Sequence, residues 1–301
     1  YAALACLALA LLGLAASHFI PRTPAAAAHL QICWNPVAET WRNLMQARQQ
    51  RPVFIALIGI SWMWFFGAVF LTNFPAFAKD SLRGSEQVAA LLLTVFSVGI
   101  GIGSLWCEKL SRGHVEPGLV PLGSVGMSVF SIDMYCAVQA LPAVVDGAAL
   151  SVAEFVARPG HWRVMADLAL LSLSAGVYSV PLYALIQVQA APERRARIMA
   201  ANNILGALFM IAASAIAALL LHAGLSTQAV FAAVGLANVL VAIYAVRTAP
   251  GLLLQLAARL IARLTYRFRV QGMEHIPATG PAILVANHVS FIDPVLIMAA
   301  C

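Results

Sequence analysis

Apolar residues run along this chain in long blocks separated by short polar joints. Seven blocks each hold about 20 residues, enough for a helix to cross about 30 Å of hydrocarbon. They predict spans over roughly 1–20, 53–78, 88–106, 117–137, 164–188, 198–221 and 228–246. The first block, Tyr1 to Ile20, lacks the basic start of a secretory signal and is followed by more spans, so it reads as a span. The joint at 21–52 is the longest. Its second half is amphipathic: Asn35 suits a cap, Pro36 the first helical turn, and Trp34, Val37, Trp41, Leu44 and Met45 share a face. It predicts a helix lying on the membrane surface.

The pattern changes after Arg247. Pro250-Gly251 breaks the last span, and Leu252 to Tyr266 reads as a basic amphipathic helix. Its apolar stripe is Leu253, Leu256, Leu260 and Leu264, beside Arg259, Arg263 and Arg267. Phe268 and Val270 then alternate with polar residues as in a strand, and Ala282 to Ala286 forms a second, fully apolar one. Gly272, Pro277 and Gly280 mark turns.

Composition agrees with a membrane protein: 62% of residues are hydrophobic, 10% are charged, and the mean hydropathy is +0.87. Soluble domains carry about 25% charged residues. The net charge of +6 would suit nucleic acid, but its distribution argues otherwise. Fourteen of the 18 Lys and Arg fall on one side of the predicted topology, in 21–52, 107–116, 190–197 and the tail. Only Lys79, Arg83, Arg158 and Arg163 fall on the other. The positive-inside rule puts the first group and the C-terminal tail in the cytoplasm. Cys6, Cys33, Cys107, Cys136 and Cys301 are scattered and indicate neither disulfides nor a metal site.

A lone span, a long cytoplasmic loop and six more spans resemble the major facilitator superfamily, which joins two six-helix halves through a central loop. Ser104-Leu-Trp-Cys-Glu108-Lys109-Leu-Ser111-Arg112 also resembles that superfamily's loop motif, G-x-x-x-D-[RK]-x-G-[RK], with Ser for Gly at two places and Glu for Asp. The same residues also suit an ordinary charged interfacial turn. Gly99 and Gly103 are spaced for close helix packing, with Gly101 between them. Gly176 and Pro181 interrupt the fifth span, either as a gate or as a static kink. Asp133 and Asp167 fall near the outer ends of their spans. Each is either a solvated interfacial acid or a group that meets a substrate amine or carries a proton. Gln187, Gln189, Asn202 and Asn203 flank the turn at 190–197 and are candidates for a polar head group.

The last twenty residues hold the most specific chemistry. The strand before Asn287 leads into Asn287-His288-Val-Ser290-Phe-Ile-Asp293-Pro294. With the lead-in from Gly272 to Pro281, it resembles the first motif, N-H-x-S-x-x-D, of the 1-acylglycerol-3-phosphate acyltransferase family. The chemistry needs these groups. A free hydroxyl is a weak nucleophile at neutral pH, and an imidazole of ordinary pKa, about 6.5, suits the removal of its proton. Asp293 would fix the tautomer of His288 and stabilise its cation, while Asn287 and Ser290 support the turn. Asp293-Pro294 is equally a helix cap and first turn, and the two roles can coexist.

Together these resemblances imply an all-α polytopic membrane protein, the second half of a 12-helix major facilitator fold, followed by the first strands of an α/β acyltransferase domain. The boundaries are 1–249 and 250–301. They imply a bifunctional protein of a bacterial inner membrane. It would move a lysophospholipid such as 2-acylglycerophosphoethanolamine inward and re-acylate it on the cytoplasmic face. The co-substrate would be an acyl donor, acyl-CoA or acyl-acyl-carrier-protein, with acyl carrier protein as a possible partner. No bound cofactor or metal is expected. Two alternatives stand: a transporter with a degenerate tail, and a membrane-anchored acyltransferase without transport. The chain begins at Tyr1 and ends at Cys301, eight residues past Asp293. It reads as a fragment open at both ends, expected to be inactive by itself.

Overall fold

The computed structural model describes residues 2–21, 34–111, 116–142 and 149–248. Further on it describes 254, 257–258, 261–262, 265–266, 271–272, 283, 285, 287 and 290–300. Among the described residues, six helices are long and apolar enough to cross a membrane. They are α3 (Arg51–Ala76, continued by a π-helical turn, Phe77–Ser81), α4 (Glu86–Ser111), α5 (Leu119–Gln139), α7 (Pro159–Gln189), α8 (Pro192–His222) and α9 (Thr227–Thr248). Each overlays a predicted span and runs past its apolar block by a few polar residues. The seventh expected span is shorter: α1 (Ala2–Ser17) has 16 residues. That is about 24 Å, under the thickness of the hydrocarbon.

α2 (Pro36–Gln49) forms where expected, with the Asn35 side chain accepting the Ala38 N–H at 3.0 Å. Trp34, Val37 and Trp41 point away from the bundle, Trp34 with 89% of its surface exposed. The opposite face meets α8: Glu39 lies 3.6 Å from Arg197 and 3.5 Å from Arg42, and Asn43 and Ala47 are buried. This helix turns its apolar face outward, as a surface helix does. A short helix between spans, α6 (Val152–Ala157), is absent from the sequence reading. Its signal is present in the capping box Ser151–Glu154.

Packing pairs α3 with α8 and α7, α4 with α7, and α5 with α7 and α9. The three-helix sets α3–α4–α5 and α7–α8–α9 thus pack reciprocally. One seam breaks the pattern: α5 lies closely along α7, whereas α9 meets α3 over a shorter length, through Phe70–Phe231 and Trp62–Asn238, and parts from it toward the basic end. Glycines close the α4–α7 seam. A Cβ on Gly103 would sit 2.8 Å from the Leu173 carbonyl carbon, and one on Gly176 would sit 2.8 Å from the Ser104 nitrogen. The packing role expected of Gly99 and Gly103 therefore holds. Gly101 faces open space, and α7 continues unbroken through Gly176 and Pro181.

The two ends of the bundle differ. At the end away from most cations, Phe70 stacks on Phe231 at 4.1 Å, and Phe74, Phe77 and Phe96 join them. Beyond them the 82–85 turn pairs with Leu150, whose N–H donates to the Arg83 carbonyl at 2.8 Å. His161 stacks on Phe155 at 4.2 Å and locks α6 onto the start of α7. At the basic end the helices splay around a cavity. Outward, Leu208, Ile211, Leu219 and Leu236 are exposed, as suits a lipid-facing surface.

In the C-terminal part, Leu254, Ala257, Ala258, Ile261, Ala262 and Thr265 are helical, as predicted for 252–266. The predicted stripe Leu253, Leu256, Leu260 and Leu264, with its arginines, lies outside the described residues, as do Pro250 and Gly251. Gly272 has φ 82°, the turn conformation expected there. The expected strands do not appear among the described residues. Ile283 and Val285 are 93% and 92% exposed and belong to no ladder. A strand exists only with a partner, and none is described here.

Candidate functional site

The acyl-transfer motif sits at the start of α10 (Asp293–Ala300). The Ser290 N–H donates to Asp293 Oδ2 at 2.7 Å, and the Asp293 N–H donates to the Ser290 carbonyl at 3.0 Å. Ser290 Oγ in turn lies 3.5 Å from the Ile292 nitrogen. Asp293 is the first residue of the helix, as its Asp-Pro start signal led one to expect, and its carboxylate is bonded back into the preceding turn. The motif folds this way because Ser, two residues and Asp can satisfy each other's backbone before an apolar helix begins. The bonded oxygen is Oδ2, and a carboxylate has two oxygens. Asn287 and Phe291 are exposed. His288 lies outside the described residues; among those described, the turn brings together Ser290 and Asp293.

The candidate positions in the bundle are dispersed. Ser104 faces α7 in the packed seam and donates to the Ile100 carbonyl at 2.9 Å, while Glu108 and Lys109 are exposed. Arg112 lies outside the described residues. Gln187, Gln189 and Asn203 are exposed, whereas Asn202 is buried with its amide atoms unpaired. Asp133 and Asp167 come together across α5 and α7, and Arg163 joins them. Arg163 grips Asp133 with two bonds, 2.6 Å to Oδ1 and 3.3 Å to Oδ2. Asp167 is 5% exposed, and its Oδ2 has no partner. The sequence reading counted Arg163 only as a loop cation, because the pair is 30 residues apart in the chain. Nearby, Ser151 N–H and Oγ both meet the Glu154 carboxylate at 2.8 Å and hold its pKa below the usual 4.5.

The main cavity, about 800 Å³, lies between α3, α5, α7 and α9 at the basic end, exactly where the α3–α9 seam opens. Arg51, Trp62, Tyr178, Leu182 and Tyr244 are among its walls. None of Asp133, Asp167, Gln187, Asn202 and Asn203 lines it. The sequence reading missed the cavity residues, since apolar side chains within spans carry no mark of what they face. It also missed Asn238, buried in α9. That amide donates to the Ser124 carbonyl at 2.8 Å and to Ser128 Oγ at 2.9 Å, and accepts from Trp62 Nε1 at 2.7 Å. An amide inside an apolar span was its available signal.

A family model described as Acyltransferase matches residues 267–301. The match contains Asn287, His288, Ser290 and Asp293, and all six long helices lie outside it. No curated protein and no solved structure matches the chain. The chain thus carries a segment similar to that family behind six helices capable of crossing a membrane.

Proposed function

We propose that this chain belongs to a bifunctional membrane protein that brings a lysophospholipid across a bacterial inner membrane and re-acylates it at the cytoplasmic face. The observation that carries the reading is the acyltransferase match, with its Asn287-His288 and Ser290–Asp293 turn, following directly on the six-helix bundle. The reciprocal packing of α3–α4–α5 and α7–α8–α9 supports a major facilitator half. The cation excess at the ends of α4 and α9 and in the turn before α8 supports a cytoplasmic tail.

In the reaction, the lysophospholipid hydroxyl attacks the carbonyl carbon of an acyl thioester, which is acyl-CoA or acyl-acyl-carrier-protein. His288 takes the hydroxyl proton as the C–O bond forms. The tetrahedral adduct collapses, the C–S bond breaks, and the proton passes to the leaving thiolate. Asp293 steadies the imidazole while its other oxygen holds the Ser290 turn. Tethering the enzyme to the transporter raises the local concentration of the transported lipid.

The test uses the full-length protein in proteoliposomes, with radiolabelled lysophospholipid outside and acyl donor inside. Wild type accumulates diacyl product, while His288→Ala imports lysophospholipid but leaves it unacylated. Unchanged product in His288→Ala would remove the role given to His288. Product formed only from lipid already inside would leave an anchored acyltransferase without transport.

A further inference from the structure

We infer that the cavity between α3, α5, α7 and α9 binds one acyl chain of a phosphate-bearing membrane lipid, with Arg51 meeting the phosphate. Its walls offer an occupant almost no hydrogen bonds. Trp62 spends its N–H on Asn238 Oδ1 at 2.7 Å, and the Tyr178 hydroxyl donates to the Gly59 carbonyl at 3.1 Å. Thr248 Oγ1 is turned to the Tyr244 carbonyl at 2.6 Å. A water cluster or a sugar needs polar partners, and those of Trp62, Tyr178 and Thr248 are already taken. A hydrocarbon chain needs none.

Size and place fit the same occupant. The cavity holds about 800 Å³. From Arg51 to Trp62 its wall follows eleven residues of α3, about 16 Å. One leaflet of hydrocarbon is half of about 30 Å, so a chain whose head stays at the surface reaches Trp62. Ile58, Leu240 and Tyr244 form an exposed rim on the flank, Leu240 with 72% of its surface open. A chain therefore enters sideways from the bilayer while its head group remains at the interface. Arg51 stands exposed at the mouth and makes no ion pair among the described residues. A guanidinium there suits a phosphate. The site is separate from the acyl-transfer segment, and the inference does not depend on the reaction proposed above.

The experiment uses the full chain in lipid nanodiscs and a monoacyl glycerophosphate carrying a diazirine in mid-chain. After irradiation, adducts are mapped by mass spectrometry. They are expected to concentrate in 53–62, 178–185 and 240–248. Val241→Phe and Ala245→Phe, which fill the cavity, should each cut labelling at least about tenfold, the loss expected when about two methylenes are shut out. Arg51→Gln should weaken labelling about fivefold for the phosphate probe and leave an uncharged monoacylglycerol probe unchanged. If neither filling variant folds, excess unlabelled monoacyl glycerophosphate on the wild type decides, and loss of the adducts supports the site. Adducts spread evenly over the outward faces of α4 and α8, indifferent to competitor, would overturn it.

Discussion

Replacing Gly101 and Gly103 separately by alanine tests the α4–α7 packing with its own control. Both glycines lie in the same helix, two residues apart, so alanine gains the same helix propensity at each, about 0.8–1.0 kcal/mol. Their surroundings differ. A Cβ on Gly101 meets nothing within 4 Å. A Cβ on Gly103 meets the backbone of Leu173, 2.8 Å from its carbonyl carbon and 2.9 Å from its Cα, with the carbonyl oxygen closer still. Backbone cannot swing aside like a side chain, so α4 must move off α7. Overpacking of this kind costs about 1–3 kcal/mol. Gly101→Ala is therefore expected to be neutral or stabilising by up to about 1 kcal/mol. Gly103→Ala is expected to lie about 1–3 kcal/mol below it. Thermal unfolding in detergent, followed by tryptophan fluorescence, would separate the two midpoints by a few degrees. Gly176→Ala presses on the same seam from α7 and should behave like Gly103→Ala. The double variant should lose less than the sum, because one displacement makes room for the other. Equal loss in Gly101→Ala and Gly103→Ala, or stabilisation by the latter, would refute the packing argument.

Three further outcomes follow from the polar groups. Arg163→Gln should lower the thermal midpoint only slightly, since the pair is half exposed and screened by solvent. Asp167→Asn should be neutral or better, because it removes a buried carboxylate oxygen without a partner, and a larger loss in Asp167→Asn would count against the cluster as described. Glu154, held below its usual 4.5 by Ser151, contributes stability that is complete above that value and fades as pH falls through its lower folded value. Protection factors at 150–158, the exchange rates corrected for their intrinsic pH dependence, should therefore fall in acid in the wild type and stay flat over the same range in Glu154→Gln; parallel acid responses would remove Glu154 as the cause. Asn238→Leu should cost about 1–2 kcal/mol, at roughly 0.6 kcal/mol for each interhelical bond lost in a membrane. Trp62→Phe should add little in that background, and full additivity in the double-variant cycle would show that the two do not interact.

What was legible in the sequence was whatever depends on one stretch of chain. The six long helices follow from apolar blocks, the Asn35 cap from a side chain acting three residues away, and the acyltransferase segment from a contiguous motif. What needed the fold was pairing between stretches. Asp133 and Asp167 read as two separate acids, yet Arg163, on the same helix as Asp167, reaches across to bind Asp133. Gly101 and Gly103 look alike in the chain and differ only in what α7 places opposite them. Trp62 reads as one more apolar residue until Asn238, 176 positions on, accepts its N–H. Asp293 shows a finer limit. The pair Asp-Pro marks a helix start in the sequence, and only the fold shows the Asp293 carboxylate bonded back to the Ser290 N–H.

The bundle's asymmetry connects these parts into one argument. Its far end is sealed by stacked phenylalanines and the Arg83–Leu150 pairing. Its basic end is open along the one seam where the reciprocal packing fails. The cavity is open at the basic end beside Arg51 and along the flank, where Ile58, Leu240 and Tyr244 are exposed. The amphipathic stretch leading to the acyltransferase segment follows α9, which ends at Thr248 on the rim of that cavity. A lipid with its phosphate near Arg51 and a membrane-associated enzyme tethered after Thr248 would then share one end of the bundle. Under the proposed function, that arrangement would limit the search of the enzyme to a surface rather than a volume, which is the physical advantage of a tether.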